Sequence, residues 1–395
     1  MVDNISLIPY RLGDYWGFSD RVGKIVIPCT FDFVYPFADH IATVQMNYLW
    51  GAINLTGQLI IPCVYERPLI FKEGFAGANR PGDKIAFIRE DGHPLTNFRL
   101  DKVYPFENGL AIVSEDGEAG VIDSNAKVVI DFEFDDLLPF SDKAYRFNRD
   151  GKWGLIDKHG NEIIPAKYTE IMDLSEGIAQ VEGEESYGEI DYMGDPDDED
   201  TEFEQYESTR PAYGYIDQNG IEVSNCKYSF SSRFNEGFGS LQIHDDGEGP
   251  AWFFVNKNGK QLKDLYFSSV KPFSNGFSVV KRGLWGIINK TGTWLIEPHF
   301  DDITNISEGV FMCAKISEDE SLLTWKCIDT NGNELFSVFN YTFIGPFSDG
   351  IAHVEKGELS GYIDIKGNEI IPCIYDSGED FKNGLARVRK GNGES

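Results

Sequence analysis

The phrase GKWGLIDKHGNEIIP at Gly151–Pro165 recurs in degraded copies from one end of the chain to the other. A chain written this way stacks like units, so the repeat outweighs any estimate of domain number from length. With the Trp-Gly of Trp153 and Gly154 as the register mark, copies begin at Trp16, Trp50, Ile85, Ala119, Trp153, Tyr213, Trp252, Trp285, Trp325 and Ser360. Six of the seven tryptophans fall on this position. The intervals are 34, 35, 34, 34, 60, 39, 33, 40 and 35 residues, so the unit is near 34–35 with an insertion after the fifth copy.

Each unit reads as up to four short antiparallel strands. The Trp-Gly strand, WGLID at Trp153, has siblings WGAIN at Trp50 and WGIIN at Trp285. An Asp-x-x-Gly turn follows, because Asp or Asn can bond its own backbone two residues on and Gly accepts a positive φ. The second strand closes on Ile-Pro at Pro28, Pro62, Pro165 and Pro372, with Pro298 as Ile-Glu-Pro. Proline gives no ladder donor, so it should mark a strand end or an edge. The third strand carries YPF at Tyr35 and Tyr104, LPF at Leu138, KPF at Lys271 and GPF at Gly345. An acid or amide then precedes glycine at Glu73, Asn108, Glu176, Glu236, Asn275, Glu308, Asp349 and Asn383, a hairpin signal. The fourth strand alternates, as in IATV at Ile41 and IAHV at Ile351, which argues half-burial.

The reading is an all-β array of ten tandem repeats in a curved array, with units one to five over 1–182, an acidic insertion over 183–209, and units six to ten over 210–395. An open hairpin stack is favoured; a propeller-like ring and two five-unit halves are the alternatives, since propeller units usually run about 40–45 residues. The indoles at Trp16, Trp50, Trp153, Trp252, Trp285 and Trp325, with Tyr213 in the same place, are expected to fill the space between units. Each would bury about 150–250 Å². The neighbouring glycine would let a strand or ring approach closely.

Apolar residues make up 41% and aromatics 14%, enough for a continuous core. MVDNISLIPY carries no charged-then-apolar leader and no long apolar run occurs, so the expectation is a cytoplasmic protein without a membrane span. Cys29, Cys63, Cys226 and Cys373 fall after the second-strand proline position, where the best copy has Ala166, and read as small packed residues. Without C-x-x-C, H-E-x-x-H or a phosphate loop, no metal or cofactor is expected, and His40, His93, His159, His244, His299 and His353 are scattered.

Lys and Arg number 35 against 65 Asp and Glu, a formal charge of −30. Glu182–Glu207 alone holds thirteen acids and no Lys or Arg. Nucleic acid is disfavoured, because binding its phosphates needs Lys and Arg. The insertion reads as a solvated, flexible loop, and its acids Glu184, Glu185, Asp195, Asp197, Asp198, Glu199 and Asp200 as candidate contacts for a basic protein.

The units KWGLIDKHGNEIIP, LWGAINLTGQLIIP and LWGIINKTGTWLIEP resemble the WG-repeat family, abundant in bacterial proteins. The pattern is altered at Ile85, where Ile-Ala replaces Trp-Gly, and at Trp325, where Lys326 follows. The resemblance implies a repeat scaffold without catalytic residues. The expected function is therefore non-enzymatic binding of a macromolecular partner, in the sharpest form the masking of a basic protein. The alternatives are carbohydrate or cell-envelope binding through aromatic faces and an enzyme whose site is dispersed over several repeats.

Overall fold

The computed structural model describes residues 7–192, 203–244, 249–318, 320 and 322–391. Among them the regular elements are all strands, and every named pairing is antiparallel. The chain divides into two compact units, Met1–Lys167 and Tyr168–Ser395.

The tight turns decide which strands pair. Asn47 and Tyr48 both have positive φ (52° and 64°), so Ile41–Met46 folds straight back on Leu49–Asn54. Such a turn matches the twist of the strands it joins. The Asn54 side chain accepts the N–H groups of Thr56 and Gln58, turning the chain into Leu59–Tyr65. Asp157, Asp217, Asp329 and Asp364 repeat this geometry in their own copies. Glu73, Asn108, Glu176, Glu236, Asn275, Glu308, Asp349 and Asn383 all sit at φ 49–55° before a glycine that is also left-handed. The expected hairpins are therefore present at each of these positions.

The sheets are half a period out of step with the sequence repeat. One sheet runs Phe33–Val34, Ile41–Met46, Leu49–Asn54, Leu59–Tyr65. Its first two strands belong to the copy that begins at Trp16 and its last two to the copy at Trp50. A single residue, Asp32, carries the chain from Ile25–Phe31 of one sheet to Phe33 of the next. The division between the two compact units falls where Glu162–Tyr168 ends one sheet and Glu170–Ile171 begins another.

Proline lies inside the second strand instead of ending it. Trp285 pairs with Phe300 and Ile287 with Ile296, so the strand Trp294–Phe300 bulges around Pro298 on the outer edge of its sheet. Edge bulges are where a strand tolerates proline. The YPF segments also differ from expectation. At Tyr35 and Tyr104 the ladder covers only the two residues before them, whereas Asp136–Ser141 and Phe343–Ser348 carry LPF and GPF within the strand as expected.

Within each unit the core is a series of clusters, each shared by successive sheets. Phe18, Ile27 and Phe31 of one sheet meet Val34, Val44 and Ile53 of the next. Phe106, from a YPF, is fully buried with ring centroids 4.6 and 4.8 Å from Phe75 and Phe87 of the preceding sheet. Stability is then a sum of neighbour interfaces, as in other repeat arrays.

A carboxylate clasp reinforces these interfaces. Glu73 accepts the N–H groups of Asn108 and Gly109, 2.7 and 2.8 Å away, in the next copy's turn. Glu176 does the same for Glu236 and Gly237, and Glu236 for Asn275 and Gly276. Glu308 and Asp349 hold Gly350 and Gly384. Burial pushes the Glu176 and Glu236 carboxyls up, but the glycine N–H groups and the ammonium groups of Lys257 and Lys290 outweigh it and hold both below the usual range. A depressed folded pKa stabilises above the unfolded carboxylate pKa and loses that contribution as pH falls through the folded value. Glu176→Gln with Glu236→Gln should therefore lower the melting temperature at neutral pH. The gap to the unaltered protein should close in acid, which melting curves across pH would show.

Candidate functional site

All but one of the repeat tryptophans stand at the margin of the core. Trp16, Trp50, Trp153, Trp252 and Trp285 are half-buried, as is Tyr213. The buried ring is instead the aromatic residue that ends the second strand: Phe31, Tyr65, Phe134 and Phe300 stand opposite positions 16, 50, 119 and 285 and are 2–6% exposed. The indoles form short ladders across the surface. Phe33 lies 5.9 Å from Trp16 and 6.0 Å from Trp50, and Tyr35 packs on Trp50 at 5.6 Å. Phe230 likewise bridges Tyr213 and Trp252 at 5.9 and 5.5 Å. Trp285 carries Lys271 and Lys281 over its ring at 5.4 and 5.6 Å.

Trp325 alone among the repeat tryptophans is buried, at 3% exposure, with its indole N–H donated to the Tyr341 carbonyl at 3.0 Å. The cause is local. Lys326 stands where glycine is usual, the partner strand Glu334–Phe339 has no proline, and the pairing from Trp325↔Val338 to Cys327↔Phe336 runs without a bulge. The altered copy thus keeps its register beside Trp325, shifts it only after Cys327, and buries its indole.

The acidic insertion is a ribbon over its described residues, where a loop was expected. Ile178–Tyr192 and Phe203–Asp217 pair without a break from Ile178↔Asp217 to Tyr192↔Phe203. Other strands join only at its base: Glu170 and Ile171 reach Glu182 and Val181, and Tyr228, Ser224 and Glu222 reach Tyr213, Tyr215 and Ile216. Beyond Gly183 and Ala212 no third strand is laddered to it among the described residues, so this part of the ribbon has two edge strands.

The candidate acids separate along this ribbon. Glu184 is exposed. Glu185 faces the other way and is engaged by Arg210, whose Nη2 and Nε lie 3.1 and 3.2 Å from its Oε2, with His244 Nε2 at 3.4 Å. Arg210, which the sequence reading passed over, also lies over the Tyr187 ring at 4.9 Å. Its place directly across from Glu185 is the signal that register would have revealed. Asp195, Asp197, Asp198, Glu199 and Asp200 lie outside the described residues.

All six cysteines are free: Cys29, Cys63, Cys226 and Cys373 are half-buried, and Cys313 and Cys327 are buried. Among the described residues no group of three His, Cys, Asp or Glu side chains is placed to hold a metal ion. Among the described residues no helix is long and apolar enough to cross a membrane.

A family model described as WG containing repeat matches residues 16–50, 50–80, 86–118, 120–153, 153–182, 213–244, 252–283, 285–315, 327–359 and 361–393. None of the curated proteins matches. Solved structures that match include a eukaryotic initiation factor, 10% identical over 89% of this chain and 96% of that one, with a TM-score of 0.30. Another is the extracellular domain of a hybrid two-component system from B. thetaiotaomicron, 9% identical over 98% and 63%, with a TM-score of 0.24. Kluyveromyces lactis Hsv2 is 12% identical over 65% and 71%, with a TM-score of 0.22. These likenesses are too slight to bear on shape or role.

Proposed function

The chain belongs to the WG containing repeat family, and from that premise we propose that it is a non-enzymatic scaffold which binds and masks a basic protein in the cytoplasm. The observation that carries this reading is the ribbon Ile178–Tyr192 and Phe203–Asp217. It sets edge strands within a segment that has thirteen acids and no Lys or Arg between Glu182 and Glu207. An open edge offers main-chain hydrogen bonds to an added strand. The surrounding negative field steers a cationic partner toward that edge and repels acidic ones. Glu184 is exposed, whereas Glu185 is matched by Arg210 within the chain and should contribute less.

The test is capture from lysate on the immobilised chain and on a variant lacking Gly183–Glu207, in which Ser208–Ala212 remain to close the hairpin. A basic protein should be retained by the intact chain, released by rising salt and lost from the variant. Retention of the same protein by both forms would move the site to the repeat surface. Retention by neither would end the protein-scaffold reading.

A further inference from the structure

The joint between the third and fourth copies breaks the repeat in unit Met1–Lys167. The clasp needs an acid at the left-handed turn position, and here Asn108 occupies it. The next turn, Ser141–Ala144, has Asp142 and Lys143 in place of the usual pair, and neither is left-handed. Where Glu73 bonds across the preceding joint, this one holds a cleft of about 420 Å³. Its lining includes Tyr104, Phe140, Tyr145, Glu107, Asp142 and Lys158.

Lys158 is the group that asks for a ligand. Its Nζ lies 3.4 Å from the centroid of the Tyr145 ring, and among the described residues the ammonium meets no hydrogen-bond acceptor. Burial lowers its pKa, against the opposing pull of Glu107 and Asp142. Burial, and then Glu107, push the Tyr145 hydroxyl up to about 12, so the ring stays neutral beneath the cation. An ammonium has three donors, and a single ring face satisfies none of them as a hydrogen bond.

The charges around the cleft cancel. Glu107 is paired with Lys72, and Asp142 is matched in number by Lys158. Neither a free cation nor a free anion gains from the balance. What remains is a half-exposed aromatic wall at Tyr104, donors at Lys158, and acceptors at Asp142 and Glu107. Small-ligand clefts run about 300–1,000 Å³ with apolar walls and a few placed polar groups. A ring with an apolar face and hydroxyls that both donate and accept satisfies every part of this lining.

We propose that this cleft binds one neutral sugar unit of a saccharide, its face on Tyr104, a hydroxyl oxygen accepting from Lys158 and hydroxyl protons donated to Asp142 and Glu107. The site is separate from the acidic ribbon and does not depend on a protein partner. It also shares no residue with the tryptophan ladders.

The test is saturation-transfer NMR on the full chain with glucose, N-acetylglucosamine, maltose and cellobiose, and with free lysine and inorganic phosphate as charged controls. At least one saccharide should receive saturation at its ring protons. Tyr104→Ala and Lys158→Met should each weaken its affinity about tenfold or more, roughly the loss of one stacking or hydrogen-bond contact. Trp50→Ala on the ladder should leave affinity unchanged, and a cooperative melt above the temperature of the binding experiment would show that each variant folds. Absence of transfer to all four saccharides, binding indifferent to both cleft substitutions, or displacement of the saccharide by lysine or phosphate would each overturn the assignment.

Discussion

Trp325→Ala should destabilise unit Tyr168–Ser395 by about 3–5 kcal/mol, the range for removing a buried large aromatic. Trp285→Ala in the same unit should cost only about 1–2 kcal/mol, because less apolar surface leaves water in the first place. The two residues hold the same place in the repeat and differ in burial. Trp325 packs with Ile344, Val354 and Ile363 of the following sheet and donates its N–H to Tyr341. Trp285 lies half-buried beneath Lys271 and Lys281. Truncating Trp325 also leaves the Tyr341 carbonyl without its donor. Denaturant titrations of both variants would check the ratio, and equal losses would mean that burial does not set the indole's worth.

Gly286→Ala should destabilise the same unit by about 1–3 kcal/mol or more, the usual range for overpacking. A methyl group at Gly286 would lie 2.6 Å from the Ile296 carbonyl oxygen and 2.9 Å from Pro298 N, both backbone atoms of the bulged strand. Backbone cannot turn aside as a side chain can, so the bulge itself must move. Gly154 meets the Ile164 carbonyl at 2.5 Å in the same way. The glycine of Trp-Gly and the bulge opposite it are thus two halves of one device, which Gly120 and Gly214 keep where Asp131 and Asn225 replace the proline. Where Lys326 replaces the glycine, the proline and the bulge are missing too. Thermal melts of Gly286→Ala should show the loss, whereas Gly283→Ala, with open space around it but a left-handed backbone, should show only strain.

Period, strand class and turn chemistry were readable in the sequence because each depends on neighbours along the chain. The Asp157 turn and the Glu73-Gly74 hairpin need nothing beyond a few adjacent residues. The phase of the sheets was not readable. A repeat aligned on Trp153 has no natural beginning, and only the turn at Asn47 and Tyr48 ties one copy's fourth strand to the next copy's first. The tryptophan position misled for a related reason: recurrence marks a structural role, but exposure depends on the bulge opposite. The acids before glycine were visible as turn formers, yet the clasp from Glu73 to Gly109 spans a whole period and shows only once copies stack. The pairing of Glu185 with Arg210 needed register, and the cleft at Lys158 needed the distance between two turns.

The measurement that bears most directly on the masking account is the association rate of the captured basic protein as salt rises, for the intact chain and for the variant lacking Gly183–Glu207. Charge steering acts on encounter, so the rate with the intact chain should fall steeply with salt while dissociation changes little. The shortened chain should bind slowly at every salt concentration. An association rate that ignores salt, or that is the same for both forms, would contradict the account.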